Sequence, residues 1–235
     1  MKSKRVGALE GTQKRSPRVP VDPDHPLPEV VRRAARVLAA GSLVALPTDT
    51  LYGLAADGLN AAAVARAMAL KGRPGQKPLG LLIAEEEMAG LLAEEISPLA
   101  RLLIKRFWPG PLSIVVAGRG DLPPGVTGQD GGVSLRVPAS PLARSLILEL
   151  GRAITATSAN LSGGPDPVSA DQVEESLGRG IDLILDGGPC RANIPSTVLD
   201  ARGEHPRLIR EGAIPWAEIL SVLAETREGH LEKDV

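Results

Sequence analysis

Apolar residues recur at helical spacing from Glu29 to Ala40, and Gly41 stands just past that stretch, where helices often end on a left-handed cap. The pattern then changes period. Ser42–Leu46 is a short apolar run stopped by Pro47, which predicts a buried strand. Asn60 is placed to cap a helix running through Leu70, with Gly72 beyond it. Leu79–Ala84 reads as another strand, and Ser97-Pro98, a cap followed by a first-turn proline, opens a helix to about Phe107. Further strands are predicted at Leu112–Ala117, Val133–Val137, Ala153–Thr157, Ile181–Leu185 and Thr197–Asp200. Helices are predicted at Pro141–Leu150, Ala170–Leu177 and Pro215–Glu225. The alternation predicts one α/β domain on a mixed sheet over residues 28–226. Residues 1–27, without apolar periodicity, read as a flexible extension, and 227–235 as a C-terminal tail.

Composition narrows this picture. Apolar residues are 43% of the 235 but aromatics only 2%, so Leu, Val, Ile and Ala must fill the core. That suits a buried sheet covered by helices. A net charge of −1 argues against a surface given over wholly to nucleic acid. Weak RNA contact by the basic extension is the lesser reading, a solvated tail the main one. The lone Cys190 excludes an internal disulfide and a multi-cysteine zinc site. No apolar run approaches the ~18 residues of a membrane span, and the first residues lack the apolar stretch of a secretory signal. The cytoplasm is the expected compartment, with no membrane partner.

Four segments carry candidate chemistry. Pro47-Thr48-Asp49-Thr50-Leu51-Tyr52-Gly53 follows a strand end, where open α/β sheets place ligands; a hydrogen-bonded turn is the plainer alternative. Lys71-Gly72-Arg73-Pro74-Gly75-Gln76-Lys77 sets three cations in a Gly/Pro-rich loop suited to a triphosphate, although it is not a Walker P-loop. Thr155–Gly164 offers hydroxyls, the Asn160 amide and two glycines, able to approach phosphate or ribose. Serine nucleophile chemistry is disfavoured there: the G-x-S-x-G elbow is absent, and His25, His205 and His230 are poorly placed as bases. Last, Arg136, Ser196 and Arg210 interrupt or end strand-like runs. The two arginines need either internal carboxylates, such as Asp200, or an anionic substrate.

On the segments PTDTLYGLAAD, ALKGRPGQKPL, FWPGPLSIVV, VSLRVP, TSANLSGGP, PSTVLD and LIREGAI, the chain resembles the YrdC/TsaC family of L-threonylcarbamoyladenylate synthases. These occur in family order from about Pro28 to Pro215. The resemblance implies a twisted mixed sheet flanked by helices around a large concave cavity. It implies a nucleotidyltransferase that makes threonylcarbamoyl-AMP and pyrophosphate from L-threonine, bicarbonate or CO2, and ATP with Mg2+. The product would pass to the tRNA threonylcarbamoyl-transferase complex, which modifies adenosine 37 of tRNAs reading ANN codons.

Carried over by position, Thr50, Arg136, Ala156 and Ser196 are the implied threonine site. Arg73, Lys77, Ser158, Asn160 and Arg210 are the implied ATP contacts, and Lys71 and Arg73 are the residues expected to act on the reacting phosphates. Leu82 stands where many relatives place a histidine, and Gly132 and Asp166 where a hydroxyl residue is common. The length resembles that of the short branch, without the extra C-terminal domain. A hydrogenase-maturation type of carbamoyl-adenylate domain and an RNA-binding factor are the rival readings. The lone cysteine argues against the first, and near-neutral charge with few aromatics against the second.

Overall fold

The computed structural model describes residues 16–72 and 77–231. Its strands are β1 (Arg18–Pro20), β2 (Val44–Pro47), β3 (Tyr52–Ala55), β4 (Gly80–Leu82), β5 (Ala93–Glu95), β6 (Leu112–Gly118), β7 (Gly132–Arg136), β8 (Ile154–Ala156), β9 (Leu183–Asp186), β10 (Thr197–Asp200) and β11 (Arg207–Arg210). Its helices are α1 (Pro28–Ala39), α2 (Ala61–Leu70), α3 (Pro98–Phe107), α4 (Pro141–Leu150), α5 (Ala170–Leu177) and α6 (Trp216–Leu231). Short 3-10 turns cover Glu86–Leu91 and Gly178–Gly180.

The helices start where local chemistry supplies acceptors for their free N–H groups. Asn60 accepts from the backbone of Ala62 and Ala63 at 3.0 and 3.2 Å. Ser97 and Ser140 accept from the third residue beyond, and each is followed by a first-turn proline. In α1 the buried positions Val31, Ala34, Ala35 and Leu38 form one stripe, and Leu142, Ala143, Leu146 and Ile147 form its counterpart on α4. These two helices pack together over one face of the strands.

Two mixed sheets result, one ordered β1-β9-β2-β3 and the other β11-β10-β6-β7-β4-β8, with β5 paired to β6. In the first, Val44, Leu46, Leu183 and Leu185 face α1 and α4, whereas Leu43, Ala45 and Ile184 join the larger cluster with α2, α3, α5 and α6. The alternation is the period-2 signature of strands buried on both faces. Each Val, Leu or Ile among them contributes about 1.5–3 kcal/mol when fully buried. β3 and β8 join the sheets through the bridges Gly53↔Ser158 and Asp57↔Ile154.

Three features depart from expectation. Arg18–Pro20, expected within a flexible extension, runs parallel to β9, and Arg18 bonds Asp171 and Asp186. Tyr52–Ala55 is a strand rather than the end of a turn, because its residues pair with all of β2. The final helix continues to Leu231, past the expected boundary at residue 226. Among the described residues no helix is long and apolar enough to cross a membrane.

Candidate active site

In β6 and β7 the residues Ile114, Val116, Val133 and Leu135 point into the main core. Period 2 therefore turns Ser113 and Arg136 to the opposite face. Arg136 is only 6% exposed, so its charge needs partners inside the protein. Nε donates to Gly110 O at 2.9 Å, Nη1 donates to Thr50 Oγ1 at 3.2 Å, and Nη2 lies 2.6 Å from Asp49 Oδ1. Burial lowers the affinity of this guanidinium for its proton, Asp49 opposes that, and nearby Arg210 adds to it.

Thr50 and Asp49 arrive from the four-residue loop between β2 and β3, whose register pairs Pro47 with Tyr52. Thr48 holds the loop: its hydroxyl donates to Leu51 O at 2.7 Å and lies 3.0 Å from Thr50 Oγ1. Opposite, Ser196 stands just before β10, its hydroxyl 3.0 Å from Ser113 Oγ. Arg210, at the end of β11, donates to Ser196 O through Nε and Nη2 at 3.2 and 2.8 Å. This approach requires a glycine at position 212, where a Cβ would stand 2.2 Å from Pro195 O. Burial lowers the Arg210 pKa, and the exposed Asp166 acts against that shift.

A second cluster forms where β8 runs into residues 157–160, which pair by backbone with β3 through Leu54 N to Thr157 O and Ala159 N to Tyr52 O, both 2.8 Å. Lys71, the buried C-cap of α2, donates to Ser158 O, to Asn160 O at 2.7 Å and to Asn160 Oδ1 at 3.1 Å. Ser158 donates to Asn160 Oδ1 at 2.7 Å, and the Asn160 amide donates to Gly164 O and Pro165 O. Since an ammonium has three N–H donors, this geometry makes Lys71 an organiser of the 158–165 loop.

The structure thus brings Thr50, Arg136, Ser196 and Arg210 together, and Lys71, Ser158 and Asn160 together. Ala156 is the last residue of β8, half-buried and in register with Gly80. Lys77 is exposed, and Arg73 lies outside the described residues. Leu82 neighbours Arg136 in register but packs into the apolar layer with α4. Gly132 leaves no room for a hydroxyl: a Cβ there would come within 2.8 Å of Val115 and 3.0 Å of the Arg202 guanidinium. Asp200, offered as an internal partner for the site arginines, instead binds Arg202 and Arg207. Asp49 and Gly110 are contacts that the sequence reading did not assign. The only signal for them was their position within PTDTLYG and FWPGPL.

Residues 36–212 match the Sua5_yciO_yrdC family model, described as "Telomere recombination". The chain belongs to this family. Similar members include the threonylcarbamoyl-AMP synthase of Pyrococcus abyssi, 44% identical over 197 residues, which are 84% of this chain and 58% of that protein. That of Bacillus subtilis is 40% identical over 82% of this chain and 56% of its own. A putative threonylcarbamoyl-AMP synthase of Mycobacterium tuberculosis is 38% identical over 81% of this chain and 87% of its own. The chain therefore spans little more than half of the first two relatives and most of the third. Among solved structures, P. abyssi Sua5 complexed with L-threonine superposes with a TM-score of 0.84 at 41% identity, covering 87% of this chain and 60% of that one. E. coli YciO superposes at 0.78 with 23% identity, covering 87% and 99%, a likeness of fold alone.

Proposed function

We propose that the chain forms L-threonylcarbamoyl-AMP and pyrophosphate from L-threonine, bicarbonate or CO2, and ATP, acting as a cytoplasmic nucleotidyltransferase. The observation that carries this reading is the buried Arg136 with Thr50 and, opposite, Ser196 with Arg210, in a family member 41% identical to a protein crystallised with L-threonine. Arg136 is suited to a carboxylate because a planar guanidinium presents paired donors. Thr50 and Ser196 are proposed to contribute hydroxyls to the amino acid, and Ala156 its backbone.

The chemistry needs no protein nucleophile. The threonine amine adds to CO2 with loss of a proton, giving a carbamate. A carbamate oxygen then attacks the α-phosphorus of ATP, and the bond to pyrophosphate breaks. The protein's task is to hold two anions in contact and offset charge on the leaving group. Arg73, Lys77, Ser158, Asn160 and Arg210 are the proposed ATP contacts. Lys71 and Arg73 are proposed to act at the reacting phosphates, Lys71 by fixing the loop that carries Ser158 and Asn160. ATP enters as its magnesium complex. Among the described residues no three His, Cys, Asp or Glu side chains converge, so the ion is proposed to arrive held by phosphate oxygens and water. The product is proposed to serve a transferase complex that modifies adenosine 37 of tRNAs reading ANN codons.

Omission assays test this reading. Pyrophosphate release should require ATP, threonine and bicarbonate together. Release of phosphate and ADP in its place would overturn it, since the bond broken would then be at the γ-phosphorus.

A further inference from the structure

Asp49 has no task in that scheme, yet it stands against the residue proposed to read the substrate carboxylate. Thr48 Oγ1 accepts from the backbone N–H groups of Thr50 and Leu51, both at 3.2 Å, which fixes the loop carrying Asp49. Asp49 Oδ1 and Arg136 Nη2 form an ion pair at 2.6 Å. Both atoms are buried, and neither has a directed hydrogen-bond partner. The other two guanidinium nitrogens are engaged, Nε with Gly110 O and Nη1 with Thr50 Oγ1. The two groups therefore form a buried ion pair whose charges are not fully satisfied by directed hydrogen bonds. The Asp49 side chain is 14% exposed against 7% for Arg136, so the acid is the more accessible partner.

Asp49 offsets the cost of burying Arg136, but for a ligand that is only an anion it also weakens the attraction. The arrangement becomes favourable if the ligand carries a cation as well. An α-amino acid does: its carboxylate suits the Arg136 guanidinium and its ammonium suits the Asp49 carboxylate. We propose that Asp49 accepts hydrogen bonds from the substrate's α-ammonium, so that the Asp49–Arg136 pair selects a zwitterion and positions its nitrogen, which gives up a proton to solvent before the free amine adds to CO2. This rests on the reading that an amino acid binds at Arg136. The role is binding and positioning, with no proton transfer assigned to Asp49.

Calorimetric titration with L-threonine and with 3-hydroxybutanoate, the same acid without its amino group, tests the assignment on wild type and Asp49→Asn. The substitution should weaken threonine by at least about tenfold, the range of a charge-assisted hydrogen bond. It should leave 3-hydroxybutanoate unchanged or bind it more tightly, because the carboxylate no longer faces Asp49. Equal weakening of both ligands would overturn the proposal, since Asp49 would then act only by holding Arg136. Unchanged threonine affinity would overturn it as well. Wild type alone gives a second measure, needed if the variant does not fold: threonine should bind at least about tenfold more tightly than 3-hydroxybutanoate, and equal affinity contradicts the assignment. If wild type bound no threonine at all, the amino-acid reading of the site would fail first.

Discussion

Arg136 is held by a backbone carbonyl, a threonine hydroxyl and a carboxylate, from two separate stretches of chain. Replacing it with alanine should raise the KM for threonine at least about tenfold while changing that for ATP far less, because one charge-assisted contact to the carboxylate is lost. Arg136→Lys should restore little, since a single ammonium cannot present the same fork to Gly110, Thr50 and Asp49. Equal effects on both substrates, read by steady-state kinetics, would place Arg136 in the scaffold. Lys71→Met makes a different prediction. It leaves the carbonyls of Ser158 and Asn160 without their ammonium donor, so both thermal stability and kcat/KM for ATP should fall, each unsatisfied group costing about 1–3 kcal/mol. Thr50, Arg136, Ser196 and Arg210 were legible as polar interruptions of strand-like runs and through family motifs. The partner Asp49 was not. Position 49 and position 136 meet only because of how the two sheets are joined, which no local pattern records.

At the scale of elements, caps and periodicity did most of the work. α2, α3, α4 and α5 carry a capping side chain and a buried stripe, and their predicted bounds agree with the structure to within a residue. Asn60→Ala should cost about 1 kcal/mol of stability in denaturant titration and leave the KM for threonine unchanged. Short strands were harder to read. β1 and β5 each have only three residues, and their partners lie far along the chain or beyond a helix. Three residues give too little alternation for period 2 to register. Just past β11, Gly212→Ala should force Pro195 and Ser196 away from that segment, given the 2.2 Å approach. The expected result is loss of activity well beyond the loss of thermal stability. A variant with wild-type turnover would show that the Ser196–Arg210 contact is dispensable.

For the whole molecule, the α/β class and its helix-covered core followed from composition and alternation, whereas the sheet orders did not. The sequence cannot show that β9 enters between β1 and β2, because strand order is settled by long-range packing. One ion cluster links distant parts of the second sheet: Arg202 binds Asp130 and Asp200, and Arg207 also binds Asp200. The Arg202 hydrogen bond holds the Asp200 carboxyl well below its usual range. A depressed folded-state pKa stabilises the protein above the unfolded value, and that contribution is lost as pH falls through the folded one. Asp200→Asn should therefore lower Tm near neutrality, and the gap to wild type should close as pH drops below about 3.8. A gap independent of pH would mean that the asparagine disturbs packing rather than charge.

The central claim is that the substrate is threonine activated as its carbamate. The most direct measurement is mass spectrometry of the adenylate formed from magnesium-ATP, carbon-13 bicarbonate and an equimolar mixture of the standard amino acids. The account predicts an AMP adduct containing threonine and one labelled carbon, with pyrophosphate released in equal amount. An unlabelled aminoacyl-AMP, or a labelled adduct of a different amino acid, would contradict it.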